Sequence, residues 1–155
     1  MSLAVVRVRG TVNVRGEVKD TLRMLRLNRP NHCVVLSPRE TYRGMLQKAK
    51  DYITWGEVSP EVLSQLLATR GRLSGNKPLT EDYVKTVLGF PSFDALARAI
   101  VKGEVELDDL EDVKPVFRLG PPRKGYEGTK RSYADRGALG YRGEAINGLI
   151  VRMLG

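Results

Sequence analysis

The side chains best suited to chemistry in this sequence are cations, and they fall into three groups. Lys19, Arg23 and Arg26 sit at i, i+4 and i+7, a cationic stripe beside the apolar stripe Val18, Leu22 and Leu25 of the same helix. Arg9 and Arg15 precede it, Arg29 follows it, and Arg39, Arg43 and Lys50 lie on one face of a second helix at about one-turn and two-turn spacing. The second group is Arg118, Arg123, Lys124, Lys130, Arg131, Arg136 and Arg142, opposed between residues 118 and 143 only by Glu127 and Asp135. Tyr126, Tyr133 and Tyr141 and glycines at 120, 125, 128, 137, 140 and 143 are interleaved with them. Arg70, Arg72 and Lys77 form a smaller knot around Gly71 and Gly75. Cations neutralise phosphates, glycines let a backbone approach closely, and tyrosine rings stack on exposed bases or riboses, so the combination is suited to RNA. The first stripe also has the form of a solvated helix face, and the small knot that of a solvated turn.

The chain has 155 residues and a formal net charge of +8. That charge is segregated: residues 1–50 carry +8, 51–103 carry 0, 104–112 (EVELDDLED) carry −6 and 113–155 carry +6. The acidic run repels a polyanion, so it is expected to face solvent, another protein or the chain's own basic surface. A basic excess of this size makes a polyanion the first partner to consider. Other classes lack their residues. The single Cys33 excludes an internal disulfide, and with His32 as the only histidine no four-ligand zinc site of the usual kind is expected. There is no phosphate-binding Gly-Lys loop and no dinucleotide fingerprint, and the carboxylate pair Asp108–Asp109 lies in the acidic run. No enzyme activity, cofactor, metal or small-molecule substrate is therefore expected. No apolar stretch approaches the roughly 20 residues that span a bilayer. From Met1 to Arg9 the cations follow the apolar residues, the reverse of a secretion signal, so a cytoplasmic protein is expected.

The elements that must position these groups begin with Leu3 to Arg9, which alternates as a strand with Ala4, Val6 and Val8 on one face and Arg7 and Arg9 on the other. A basic loop, residues 10–16, leads to the first helix, and Asn28 to Asn31 ends it with Pro30. Cys33 to Leu36 is a fully apolar run that suits a central strand. Ser37-Pro38-Arg39-Glu40 carries an N-cap, a first-position proline and a reciprocal cap, predicting a helix that starts there. Tyr52 to Val58 has the content of a third strand. This order predicts an α+β fold: a ferredoxin-like, split βαβ-type βαβαβ layer over 1–58, with both helices on one face of a small sheet. The two βα ends, around Arg15 and Arg39, suit phosphate because helix N-termini present free N–H groups.

In the second half, Ser59-Pro60, Thr80 and Ser92 start helices, the last two ending at Gly89 and Gly103. Residues 118–143 show no periodicity and read as a loop pinned at both ends. Ile146, Leu149, Ile150 and Met153 have helical spacing and dock a last helix, 144–154, on the body.

Residues 22–58 resemble the large-subunit ribosomal protein thirty family of bacteria, with its leucine-rich helix, basic turn, Val34-Val35-Leu36 strand and Arg43-Gly44-Met45 step. Tyr52-Ile53-Thr54-Trp55-Gly56, Thr69-Arg70-Gly71 with the loop to Lys77 and Leu79-Thr80, Pro121-Pro122-Arg123-Lys124-Gly125, and Gly140 to Met153 resemble its longer archaeal and eukaryotic members. The chain lacks the eukaryotic Lys-rich N-terminal extension and so looks archaeal. The resemblance implies a three-stranded antiparallel sheet with two helices over 1–58 and a mostly helical extension over 59–155. It also implies a structural role in the large ribosomal subunit, on the rRNA beside neighbouring ribosomal proteins, with longer members near the 5S rRNA. It carries over no catalytic residue. The rivals are a free-standing RNA-binding module that stacks bases on sheet aromatics, disfavoured by a first strand without aromatics, and an adaptor acting through the acidic run.

Overall fold

The computed structural model describes residues 2–10 and 14–154 of the chain. Residues 11–13 of the expected basic loop lie outside the described residues. The first half contains β1 (Leu3–Arg7), α1 (Gly16–Met24), β2 (His32–Leu36), α2 (Glu40–Lys48) and β3 (Ile53–Glu57). The second half contains α3 (Pro60–Arg70), β4 (Arg72–Leu73), β5 (Lys77–Pro78), α4 (Glu81–Thr86), α5 (Phe93–Lys102), β6 (Val116–Arg118), β7 (Gly128–Ser132), β8 (Gly137–Tyr141) and α6 (Ile146–Leu154). Short 3-10 turns lie at Leu107–Asp109, Tyr133–Asp135 and Gly143–Ala145. None of these helices is long and apolar enough to cross a membrane.

The α+β class holds, and β1 lies between β2 and β3, antiparallel to both. The sheet, however, has six strands in the order β6-β2-β1-β3-β8-β7, not three, and it is mixed. β6 pairs antiparallel with β2, and β8 pairs parallel with β3. The physical reason is the exposed edges: a three-stranded sheet leaves the outer N–H and C=O groups of β2 and β3 unpaired, and the added strands satisfy them. The second half accordingly adds three strands to the sheet beside the helices that make up most of its regular structure.

Both faces of the sheet are covered, which is why all five residues of β1 are buried. Leu3, Val5, Val34, Ile53 and Trp55 pack with Leu22 of α1 and Leu46 of α2. Ala4, Val6, Cys33 and Val35 pack on the other side with Leu63, Leu66 and Leu67 of α3, Leu96 and Ile100 of α5, and Ile146, Leu149 and Ile150 of α6. The expectation that Arg7 points away from the core fails here: Arg7 is 2% exposed, because the face opposite Val6 is also covered.

Three helix starts follow the sequence chemistry. The side-chain oxygens of Ser59, Thr80 and Ser92 accept hydrogen bonds from the N–H groups of Val62, Tyr83 and Ala95, each at 3.2 Å. The Ser37 start does not. The Arg39 N–H donates to the Ser37 carbonyl at 2.8 Å in a tight turn, Arg39 itself takes the N-cap position in extended conformation, and α2 begins at Glu40. At the other end of β3, a Cβ on Gly56 would stand 1.8 Å from the Gly143 carbonyl oxygen, so only glycine lets β3 pack against the turn before α6.

Candidate nucleic-acid interface

The two basic regions, far apart in sequence, meet where β6 joins β2. His32 pairs with Arg118, and Leu119 N–H donates to the Asn31 carbonyl at 3.2 Å. The Tyr126 hydroxyl donates to Asn31 Oδ1 at 2.6 Å, tying the second region to the turn that follows α1. Arg70 at the end of α3 donates to the Arg118 carbonyl at 3.0 Å. Arg152 of α6, which the sequence reading did not single out, donates to the carbonyls of Arg123 and Gly125, both at 3.2 Å. Arg29, Arg118, Arg123 and Lys124, in the segments joined here, are exposed. Burial, then Arg118, Arg29 and Arg7, hold the His32 pKa below its usual value.

Residues 118–143 form structure rather than a loop. β7 and β8 run parallel with an irregularity in register, and Lys130 and Arg131 on β7 are exposed. Arg136 follows in left-handed conformation and is also exposed. A Cβ on Gly137 would come within 2.0 Å of the Arg131 carbonyl oxygen, so the turn back into β8 requires glycine. The segment looked aperiodic because β7 is an edge strand that buries almost nothing. It is held by pairing with β8, which in turn pairs with the distant β3, not by a local apolar rhythm.

Several of the expected contact residues turn inward. Arg142 is 6% exposed, with Nε donating to Thr54 Oγ1 and Nη2 to the Ala138 carbonyl, both at 2.8 Å. Thr54 Oγ1 in turn donates to the Gly140 carbonyl at 2.8 Å, so Arg142 and Thr54 fasten β8 to β3. The exposed Tyr133 ring lies 4.9 Å from the Arg142 guanidinium. Burial pushes the Tyr126 hydroxyl up to about 12. Tyr141 is exposed, but its hydroxyl donates to the Glu57 carboxylate, at 2.5 and 2.7 Å from its two oxygens, which raises its pKa. Arg9 is half-buried, with its guanidinium 5.0 Å from the Tyr52 ring.

Four of the cations on and beside α1 and α2 are matched by anions of the same chain. The acidic run reaches across to them: Arg39 pairs with Glu106 at 2.5 Å, and Arg26 pairs with Asp108. Arg23 pairs with Asp20 at 2.7 Å, and Lys48 with Glu17 at 3.1 Å. Arg15 stands at the N-cap of α1, and Arg15, Lys19 and Arg43 are exposed. Arg72 donates to the Gly71 carbonyl at 2.8 Å, and Lys77 is exposed on β5. Among the described residues no group of three His, Cys, Asp or Glu side chains is placed to hold a metal ion.

Residues 3–53 match the sequence profile of the family described as Ribosomal protein L30p/L7e. Three similar relatives bear the name large ribosomal subunit protein uL30. The chain is 53% identical to that of Methanocorpusculum labreanum, over 97% of this chain and 98% of the relative. It is 53% identical to that of Archaeoglobus fulgidus with the same coverage, and 52% identical to that of Methanopyrus kandleri, over 95% of this chain and 100% of the relative.

Proposed function

The chain belongs to the uL30 family of large ribosomal subunit proteins, and on that premise we propose that it is a structural component of the large subunit, holding rRNA through cations of both its halves. One observation carries the reading of the surface. Arg29, Arg118, Arg123, Lys124, Lys130, Arg131 and Arg136 are exposed and make no ion pair among the described residues, whereas Arg23, Arg26, Arg39 and Lys48 do. Exposed, unpaired cations are free to take phosphates and release their counterions. The role is architectural rather than catalytic, and its place is the ribosome in the cytoplasm, beside neighbouring ribosomal proteins and, by family likeness, near the 5S rRNA.

Residues 1–58 act as the ferredoxin-like rRNA-binding unit, and 59–155 as an extension that enlarges both its sheet and its basic surface. The rival readings have less support. Base stacking on an open sheet needs a bare face, and here both faces are covered. An adaptor using the acidic run would find Glu106 and Asp108 already paired with Arg39 and Arg26. The test is sedimentation of tagged protein from a cell extract at moderate salt. The proposal expects it with the large subunit; protein left wholly in the free fraction, with the subunits intact, contradicts it.

A further inference from the structure

Arg7 is a buried cation without an anion. Its Nε donates to the Arg9 carbonyl at 2.9 Å and its Nη1 to the Leu27 carbonyl at 2.8 Å, but its buried Nη2 has no hydrogen-bond partner. Arg7 makes no ion pair among the described residues. Burial holds the Arg7 pKa below its usual value, with no anion acting to raise it. The buried Nδ1 of His32 is also unpartnered. Proteins rarely bury a charge without pairing it, because the lost hydration must be replaced.

Arg7 lines a cleft of about 140 Å³ against α1, whose rim includes Lys19 and Arg23, one helical turn apart. The one carboxylate on that rim, Asp20, pairs with Arg23 and not with Arg7. The cleft is well below the roughly 300 Å³ at which pockets for drug-sized ligands begin, so it suits one small group rather than a stacked base. We propose that this cleft is a phosphate site, in which the Nη2 of Arg7, with Lys19 and Arg23 at the mouth, holds a single backbone phosphate of the bound RNA. This rests on the RNA-binding reading above and deepens it by assigning a residue that is hidden in the free chain. A tetrahedral phosphate offers several acceptor oxygens, so it can accept from Arg7 and both rim cations at once. Because Nη2 is closed over in the free chain, entry requires side chains at the rim to swing aside. Arg23 then exchanges the exposed carboxylate of Asp20 for the phosphate.

The test has two arms. In the first, the Arg7 Nε–Hε NMR signal and the melting temperature of the wild-type chain are followed during titration with inorganic phosphate, against chloride at matched ionic strength. In the second, affinity for a large-subunit rRNA fragment is measured against salt for wild type, K19Q/R23Q, and the remote control K85Q/K102Q, exposed lysines of α4 and α5. The site predicts a phosphate-specific shift of the Arg7 signal and a rise in melting temperature, both lost in K19Q/R23Q. For that variant it also predicts RNA binding weakened on the order of tenfold, with a salt slope about 1 smaller than wild type, and a lesser effect in the control. A phosphate response without any change in the RNA slope specific to K19Q/R23Q overturns the assignment in favour of an adventitious free-anion site. No phosphate response and no such slope change overturns it outright. Wild-type protein that fails to bind the rRNA fragment at all refutes the RNA-binding reading itself, a result distinct from either.

Discussion

Arg142 looks like an RNA contact in the sequence and is a fastener in the structure, and the substitution R142M separates the two roles. The methionine keeps much of the aliphatic volume but removes the donors to Thr54 Oγ1 and the Ala138 carbonyl. A hydrogen bond from a charged donor contributes about 1.5–3 kcal/mol, and both acceptors are left in a buried setting. Relief of the buried guanidinium's desolvation offsets part of the loss. The contact with the exposed Tyr133 ring adds only about 0.5–1 kcal/mol. The net expectation is a destabilisation of about 3 kcal/mol. For a chain of this length each kcal/mol corresponds to roughly 2–4 °C, so the melting temperature should fall by about 6–12 °C. Calorimetry on the free protein measures that fall. Affinity for an rRNA fragment, measured well below the melting transition, should stay within about threefold of wild type, less than half a decade in binding constant. Unchanged melting with affinity lost as strongly as in an R131Q variant would refute the reasoning.

Further expectations concern packing, charge and pH. G56A should cost about 3 kcal/mol, because its Cβ meets the Gly143 carbonyl, whereas G44A, with nothing within 4 Å on exposed α2, should gain up to about 1 kcal/mol; urea unfolding of both checks this. E106Q/D108N removes two exposed ion pairs and should change stability by less than about 1 kcal/mol, while freeing Arg39 and Arg26 to raise non-specific RNA affinity and steepen its salt dependence; filter binding to unrelated RNA reads this. Burial pushes the Cys33 thiol from 9.0 to about 12 and the Tyr126 hydroxyl from 10.0 to about 12. Each folded-state pKa is raised, so the stability these groups contribute is present below pH 9 and is lost as pH rises toward 12, which unfolding curves across that window should record.

Much of the fold is legible locally. Ser59, Thr80 and Ser92 cap their helices as the sequence implies, because capping is decided within four residues. Ile146, Leu149, Ile150 and Met153 bury one face of α6, because helical spacing alone decides which side is apolar. Where distant partners decide, the sequence misleads. The strands β6 and β8 have no strong rhythm of their own and exist through pairing with β2 and β3, more than eighty residues away, while β7 exists through its pairing with β8. Arg7 and Arg142 have the composition of surface residues, and only the layers closing over them turn them inward. For the acidic run the sequence leaves solvent, another protein and the chain's own basic surface open; its hold on Arg26 and Arg39 depends on a fold that brings residues 67 and 82 positions apart into contact.

The central claim is that the exposed, unpaired cations of the second half grip RNA without supporting the fold. Charge reversal of Arg123, Lys124, Arg131 and Arg136 together, followed by rRNA-fragment affinity across a salt series, tests it most directly. The account predicts weaker binding, a salt slope shallower by about 3 if each of the four side chains meets one phosphate, and a nearly unchanged melting temperature. Affinity and slope equal to wild type would contradict it.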